Sequence, residues 1–272
     1  MRMPIITLTT DFGERDGFVG AMKGVILSLV PEAQVVDIAH DIEPQNIAQG
    51  AVVLATAALF FPPGTVHVAV VDPGVGSARR ALAVQTERYL FLAPDNGLLT
   101  YALEEEPPLR AAALTNPRYF RHPVSATFHG RDIFAAVAAH WVRGVPWEEL
   151  GPEVPLESLV RLPLPQVQRH LEALEGEVIY LDRFGNAMTN ITARCLEREW
   201  GQEWRRLVQV CLPDGRSLPV VGSYSDGALG EPLALINSAD RLEIAVRQGR
   251  ADILLSLQPG SRVRVQKRTP SQ

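Results

Sequence analysis

An acid, a glycine-rich turn and an arginine pair follow one apolar run of this sequence. Residues 66–71 are apolar and β-branched at nearly every position, which is typical of a strand buried on both faces of a parallel sheet. Asp72 comes directly after this run, and Arg79 and Arg80 follow the turn. Because parallel sheets bind ligands at the carboxyl ends of their strands, we predict a site around Asp72.

Three loops combine acids, glycines and a histidine, at residues 11–17, 72–80 and 128–132. The first two follow predicted parallel strands, so they should emerge at the same edge of the sheet. In the third, His129 precedes Gly130, and a glycine permits close approach of a ligand. Two structural alternatives remain open: Asp72 caps a tight turn, and His129 is a hydrogen-bonded structural residue. The other histidines are interpreted as structural: His40, His67, His122, His140 and His170.

Several familiar sites are excluded by spacing. Arg79 stands where a dinucleotide fingerprint would need its third glycine, and the turn lacks the Gly-Lys-Ser/Thr ending of a phosphate loop. No clustered histidines or acids supply three metal ligands, so we expect no metal. Cys195 and Cys211 lack zinc-site spacing, and we expect both to be reduced.

Composition argues for a globular protein with a small-molecule ligand. The 272 residues are 46% hydrophobic and 21% charged, and the net charge of -5 argues against a nucleic-acid partner. The sequence has neither a signal-like start nor an apolar run of roughly 18 residues, so we expect no membrane span and a cytoplasmic location.

The order of elements predicts two domains, an α/β domain over residues 1–165 and a small β-barrel or sandwich over residues 171–272. In the first, strands at 1–10, 35–38 and 66–71 alternate with helices at 18–29 and 47–61, which indicates a parallel, Rossmann-like sheet. Two more strands, at 81–86 and 89–92, and a helix at 133–142 follow. The second region carries short strands at 177–181, 207–212, 233–237, 242–246 and 262–265.

Five motifs resemble one known family, in the same order and over nearly the whole chain. They are the segments TTDFG at 9–13, VVDPGVG at 70–76, APDNGLL at 93–99, TFHGRD at 127–132 and DRFGN at 182–186. The chain is similar to the S-adenosyl-L-methionine hydrolases that form adenosine, also called SAM hydroxide adenosyltransferases. These are the sister group of the fluorinases and chlorinases.

The resemblance implies attack of water on the ribose 5′ carbon of S-adenosyl-L-methionine, giving adenosine and L-methionine without a cofactor or metal. It implies an N-terminal α/β domain, a C-terminal β-barrel, and a homotrimer whose active site lies between the N-terminal domain of one subunit and the C-terminal domain of the next. Asp72, Arg79 and His129 would form the water-activating trio. The substrate-binding positions implied are Asp11, Asp182, Asn186, Tyr224, Ser238 and Glu243.

Each role has a chemical rationale. A carboxylate at Asp11 can accept two hydrogen bonds from the ribose hydroxyls. Asp182 suits an α-ammonium and Ser238 a carboxylate, whereas Tyr224 would stack on adenine. Structural alternatives stay open: a hairpin turn for Asp182 and Asn186, a loop anchor for Tyr224, and an outward-facing strand position for Glu243.

The halogenating sisters provide the first alternative function. They carry tyrosines in place of Asp72 and His129, a serine in place of Gly130, and in the fluorinases a long insertion after the arginine that is missing here. A fixed carboxylate would repel an incoming halide, so the sequence favours water as the nucleophile. Gln45 stands where the fluorinase has a tryptophan. The second alternative is a non-catalytic nucleoside-binding protein.

Overall fold

The computed structural model describes residues 3–268, and the chain divides into two compact units, Met1–Leu162 and Pro163–Gln272. The first unit is built on a seven-stranded sheet in the order β2-β1-β3-β5-β4-β6-β7. Its strands are β1 (Ile5–Thr10), β2 (Gln34–Ala39), β3 (Val66–Val70), β4 (Ala81–Gln85), β5 (Leu90–Pro94), β6 (Arg110–Ala113) and β7 (Glu153–Val154).

The α/β class is confirmed, but the sheet is mixed rather than parallel throughout. β1 pairs in parallel with β2 and β3, and β3 with β5, whereas β4 is antiparallel to both of its neighbours. A parallel connection needs a crossover of a dozen or more residues. Only four residues join β4 to β5, so these strands form a hairpin.

Helices cover both faces of this sheet. They are α1 (Phe18–Leu29), α2 (Ile47–Ala58), α3 (Thr100–Glu105), a π-helix (Gly130–Ala135) and α4 (Ala136–Val142). Met22 and Phe134 pack with Val68 and Val70 on one face. Leu54 and Leu98 pack with Val71 on the other, which gives three layers with the sheet in the middle.

Two helices of this unit differ from their predicted bounds: the helix predicted from Ile133 begins at Gly130, as a π-helix, and the helix predicted to end at Phe61 ends at Ala58. The segments that became α3, β6 and β7 were not recognised. β6 is short and alanine-rich, and alanine is depleted in strands, so its pattern carries little β signal.

His67 is an interior residue of β3, as its structural interpretation requires. Its side chain is fully buried, hydrogen-bonds through Nδ1 to Thr7 Oγ1 at 2.7 Å, and stacks on Phe91 with 5.1 Å between ring centroids. Burial lowers the pKa of His67 from the ordinary 6.5 to about 3. The folded protein therefore holds this imidazole neutral.

We expect this histidine to make the unit acid-sensitive. Its contribution is fully present above pH 6.5 and is lost as the pH falls from 6.5 towards 3, because only the unfolded chain takes up the proton. Between pH 7.5 and pH 5 the loss is roughly 2 kcal/mol of the free energy of unfolding. Urea unfolding at both pH values measures it, and His67→Phe should lose less by that amount. Equal losses in the two proteins would contradict the assignment.

The second unit is a nearly closed antiparallel barrel of eight strands. They are β8 (Gln168–His170), β9 (Ala173–Leu181), β10 (Ala187–Thr192), β11 (Val208–Cys211), β12 (Ser217–Pro219), β13 (Pro232–Ile236), β14 (Arg241–Val246) and β15 (Arg262–Lys267). The order is β12-β11-β15-β9-β10-β14-β13, with β8 paired to β9. Just past β12, Val221 donates its N–H to Ala234 O of β13 at 2.8 Å, which brings the two edges together.

The barrel predicted for this region is confirmed, with differences in its elements. β9 begins four residues earlier than predicted, and β10 was missed. Three short helices accompany the barrel: α5 (Ala193–Trp200), α6 (Trp204–Leu207) and α7 (Ala251–Leu254). Cys195 and Cys211 are free thiols, as expected.

Candidate active site

The direction of Asp72 follows from the alternation of side chains along β3. Val68 and Val70 face the layer that contains the π-helix, whereas Ala69 and Val71 face the layer of α2 and α3. Asp72 continues the first set, since residues two apart share a face. Its carboxylate therefore leaves the sheet on the side where Phe134 and the π-helix lie.

Arg79, near the end of the loop after β3, forms an ion pair with this carboxylate. Its Nε lies 3.0 Å from both Asp72 oxygens, and its Nη2 donates to Oδ2. The Arg79 guanidinium also lies over the ring of Phe134, 5.6 Å from its centroid. Only 4% of the Asp72 side chain and 11% of the Arg79 side chain are exposed, so solvent screens this ion pair weakly.

Gly76 lets the Asp72 loop approach the loop that carries His129. Its φ is +77°, in the left-handed region, and a Cβ there would lie 2.3 Å from the carbonyl oxygen of Ala126. No side chain fits that distance, so the close contact between the two loops depends on glycine. This accounts physically for one glycine of the motif at 70–76.

His129 completes the cluster through Arg79. Nη2 of Arg79 lies 2.9 Å from Nδ1 of His129. Because a guanidinium only donates hydrogen bonds, Nδ1 accepts this one, and the proton of the neutral ring resides on Nε2. Burial is the largest influence on the pKa of His129 and lowers it; Arg79 lowers it further, against the opposing charges of Asp72 and Asp132. The imidazole is thus held neutral around pH 7.

Asp132 anchors the segment around His129 and was not predicted as a site residue. Its carboxylate is fully buried and accepts hydrogen bonds from Arg131, from Arg121 and from the backbone N–H of Ser125. Its backbone carbonyl also accepts from Arg121 N at 2.8 Å. Asp132 therefore ties the loop before His129 to the π-helix after it. The sequence signal that could have identified Asp132 is its position in the motif at 127–132.

Asp11 emerges beside this cluster, as predicted from the strand order. Thr10 is in register with Val70, so Asp11 follows β1 at the same edge at which Asp72 follows β3. Asp11 Oδ2 accepts the backbone N–H of Gln45 at 2.7 Å, and Gln45 itself has a φ of +66°. One carboxylate oxygen of Asp11 is thus held by the next loop, while the other has no partner among the hydrogen bonds described.

The C-terminal unit contains a cavity of about 570 Å³ that brings together three of the predicted binding residues. Asp182, Asn186 and Tyr224 line it, with Arg247 and Arg250 at its wall. Asp182 Oδ1 accepts the backbone N–H of Asn186 at 2.8 Å, and Oδ2 accepts its side-chain amide at 2.9 Å. The turn predicted as the structural alternative is therefore present, and it also faces the cavity.

Glu243 and Ser238 do not line this cavity. Leu242, Ile244 and Val246 of β14 face the barrel core, so Glu243 points away from that core, as its structural alternative held. It is nevertheless only 4% exposed, because its carboxylate accepts from Tyr224 Oη at 2.6 Å and from Asn237 Nδ2 at 3.0 Å. Burial raises the pKa of the Tyr224 phenol, and the hydrogen bond to Glu243 raises it further. Glu243 thus holds the hydroxyl group of Tyr224. The Tyr224 residue itself remains about half exposed. Ser238 is exposed in the turn between β13 and β14.

Two family models match consecutive parts of this chain. The SAM hydroxide adenosyltransferase N-terminal domain matches residues 6–151, and the C-terminal domain of the same family matches residues 176–264. The chain belongs to the SAM hydroxide adenosyltransferase family. The resemblance drawn from its five motifs is confirmed.

Similar proteins support this membership over nearly full length. An (R)-S-adenosyl-L-methionine hydrolase of Salinispora tropica is 42% identical over 270 residues, which cover 96% of this chain and 97% of the relative. A fluorinase of an Actinoplanes species is 29% identical over 97% of this chain and 98% of its own. A crystal structure of a conserved Thermotoga maritima protein superposes with a TM-score of 0.87 at 37% identity, covering 96% of this chain and 99% of that one.

Among residues 3–268, no group of three or more histidine, cysteine, aspartate or glutamate side chains is arranged to hold a metal ion. Within the same residues, no helix has both the length and the apolar character needed to cross a membrane.

Proposed function

We propose that this protein hydrolyses S-adenosyl-L-methionine to adenosine and L-methionine. The observation that carries the proposal is the cluster of Asp72, Arg79 and His129 at the carboxyl edge of the sheet. The 42% identity to a protein named (R)-S-adenosyl-L-methionine hydrolase supports it. We propose Asp72, Arg79 and His129 as the reacting trio, and Asp11, Asp182, Asn186, Tyr224, Ser238 and Glu243 as the residues that bind or support the substrate.

The chemistry explains why such a trio is useful. The bond from the ribose C5′ to the sulfonium sulfur breaks, its electron pair stays on sulfur, and methionine leaves as a neutral thioether that needs no acid. A bond forms from the water oxygen to C5′, and that oxygen must lose a proton to become the 5′-hydroxyl of adenosine. The difficulty lies in the nucleophile, because water is a very weak acid and gives up its proton reluctantly near neutral pH.

The hydrogen bonds divide the work among the three residues. Arg79 stabilises the negative charge that develops on the water oxygen. An ionised carboxylate offers about four lone pairs, and Arg79 engages three of those on Asp72, which leaves one on Oδ1 to accept the proton. His129 cannot accept a proton at Nε2 while Nδ1 receives the Arg79 bond. Its Nε2–H would instead donate to the water and orient it.

Halide transfer is the nearest alternative, and the geometry favours water. A carboxylate at Asp72 opposes an anionic nucleophile. A Cβ at Gly130, where the halogenating sisters have serine, would lie 3.3 Å from Met22 Sδ and 3.4 Å from the ring of Phe12. Those contacts leave little room for the serine without a shift of neighbouring side chains. A protein that only binds nucleosides would not need the buried trio.

Isotope labelling tests the proposal directly. The purified protein is incubated with S-adenosyl-L-methionine in H₂¹⁸O, with EDTA and without halide, and adenosine and methionine are assayed. We expect equal amounts of both products, ¹⁸O in the 5′-hydroxyl and no effect of EDTA. Absence of adenosine at every pH would refute the hydrolase, and a 5′-halo product formed when chloride is added would establish the alternative.

The assembly, cofactor requirement and location belong to the same proposal. We propose a homotrimer with its active site at the subunit interface, operating in the cytoplasm without a cofactor or metal. Support for the trimer comes from the family resemblance. Support for the absence of a cofactor comes from the chemistry, since a sulfonium leaving group and a water nucleophile require no electron transfer.

A further inference from the structure

Asn96 lies just past β5, in the motif at 93–99, and touches the backbone next to Asp72. Its side-chain Nδ2 donates to the carbonyl oxygen of Val71 at 2.8 Å. Its Oδ1 accepts the backbone N–H of Leu98 at 3.1 Å, at the start of α3. The amide thus connects the end of β3 to the beginning of the next helix.

The hydrogen bond from Asn96 to Val71 O takes the place of backbone pairing between β3 and β5, which ends before Val71. The parallel register of β3 and β5 runs only to Val68 and Leu92, three residues before Val71. Val71 is fully buried, so its carbonyl has no access to bulk water on the side where the pairing stops. A buried carbonyl without a partner costs about 1–3 kcal/mol. Asn96 supplies the partner at the point where β5 no longer can.

The Val71 carbonyl and the Asp72 N–H belong to one planar peptide unit. Fixing that carbonyl therefore fixes the plane from which the Asp72 side chain departs. On its other side, Asp72 O accepts Val75 N at 3.2 Å, which closes the turn. Two hydrogen bonds thus set the direction of the Asp72 carboxylate: the bond from Asn96 to Val71 O and the bond from Val75 N to Asp72 O.

From this arrangement we propose that Asn96 is a positioning residue that aims the Asp72 carboxylate at Arg79 and the attacking water. The inference rests on the proposed hydrolase function and assigns a role to a motif that the substrate contacts leave unexplained. Asn96 does not touch the reacting groups itself. Its effect passes through the Val71–Asp72 peptide.

The backbone around Asn96 is itself held firmly. Gly97 has a φ of +95°, and a Cβ there would lie 2.9 Å from Leu162 Cγ. Thr100 Oγ1 donates to Gly97 O at 2.6 Å and accepts the backbone N–H of Leu162 at 2.9 Å. The amide of Asn96 therefore projects from a fixed turn, as a positioning group requires.

Asn96→Ala tests the proposal, with Thr86→Val as the matched control. Thr86 is also buried, and its hydroxyl makes two hydrogen bonds to Tyr89 in the turn between β4 and β5, away from Val71 and Asn96. Because a misplacement of about 1 Å can cost 10²-fold in rate, we expect Asn96→Ala to lower kcat by roughly 10- to 100-fold. The Kd for adenosine should stay within about twofold, since the ligand contacts are unaltered. Thr86→Val should keep kcat within about twofold when both variants are corrected for their folded fraction.

A second measurement does not depend on activity. The negative charge of Asp72 raises the pKa of His129, so a displaced carboxylate should let that pKa fall. NMR titration of the His129 ring should show a decrease of its pKa by about half a unit or more in Asn96→Ala and none in Thr86→Val. An unchanged His129 titration, or equal losses of kcat in the two variants, overturns the positioning role. An inactive wild type refutes the hydrolase, while the titration still decides on Asn96.

Discussion

Asp72→Asn is expected to lower kcat by roughly 10²- to 10⁴-fold, the range typical of removing a group that receives a proton in the transition state. The amide keeps the shape of the side chain but lacks the charge that pairs with Arg79 and the basicity to accept a proton from water. The Kd for adenosine should change little, because the trio acts on the nucleophile. Steady-state kinetics together with calorimetric titration of adenosine measure the two quantities separately.

Glu106→Gln provides the matched control for this variant. Glu106 also pairs with an arginine in the N-terminal unit, at 3.0 Å from Arg88 Nη1, and its side chain is only 12% exposed. Arg88 precedes β5, whereas the trio lies past the carboxyl end of the sheet, so this pair belongs to the opposite edge. Glu106→Gln should keep kcat near the wild-type value. Parallel losses of kcat and adenosine affinity in Asp72→Asn would contradict its assigned role.

Tyr224→Ala is expected to weaken adenosine binding by roughly 5- to 150-fold, which corresponds to about 1–3 kcal/mol for one base stacked on an aromatic ring. The ring lines the cavity of the C-terminal unit, 46% exposed, with its hydroxyl held by Glu243. The loss should appear as a raised Kd and KM, with kcat at saturation changed much less. Titration calorimetry with adenosine gives the Kd.

Tyr224→Phe separates stacking from the hydrogen bond. It keeps the ring and removes only the contact with Glu243, so adenosine affinity should remain within a few-fold of wild type. If Tyr224→Ala binds adenosine as tightly as Tyr224→Phe, the ring is a loop anchor, as the structural alternative held.

The N-terminal site was largely predictable because its signals are local. A continuous apolar strand ending in Asp72, and Arg79 seven residues later, were readable from the sequence, and the structure brings these two and His129 together. The π-turn at Gly130 was missed, because a glycine followed by two charged residues is typical of a loop.

The C-terminal unit was less predictable, because its polar groups are satisfied by distant partners. β10 carries Thr189 and Asn190 in buried positions, which a propensity argument assigns to a turn. In the fold, Thr189 donates to Leu242 O at 2.8 Å, and Asn190 Oδ1 accepts from Glu177 N at 2.8 Å. Glu243 is likewise buried because Tyr224 and Asn237 donate hydrogen bonds to its carboxylate. Hydrogen bonds that join different strands and loops leave no local pattern in a single sequence.

The contacts of Arg79 with Asp72, His129 and the Phe134 ring fix the orientation of its positive charge before the reaction begins. A guanidinium that is already bonded on several sides and packed on an aromatic face cannot reorient when charge appears nearby. Its field is therefore preorganised during folding, and the transition state meets a charge that needs no rearrangement. In water, solvent dipoles would have to turn at that moment. The folding of residues 72–79 thus orients this charge before the reaction, so that no reorganisation energy is spent on orienting solvent dipoles in the transition state.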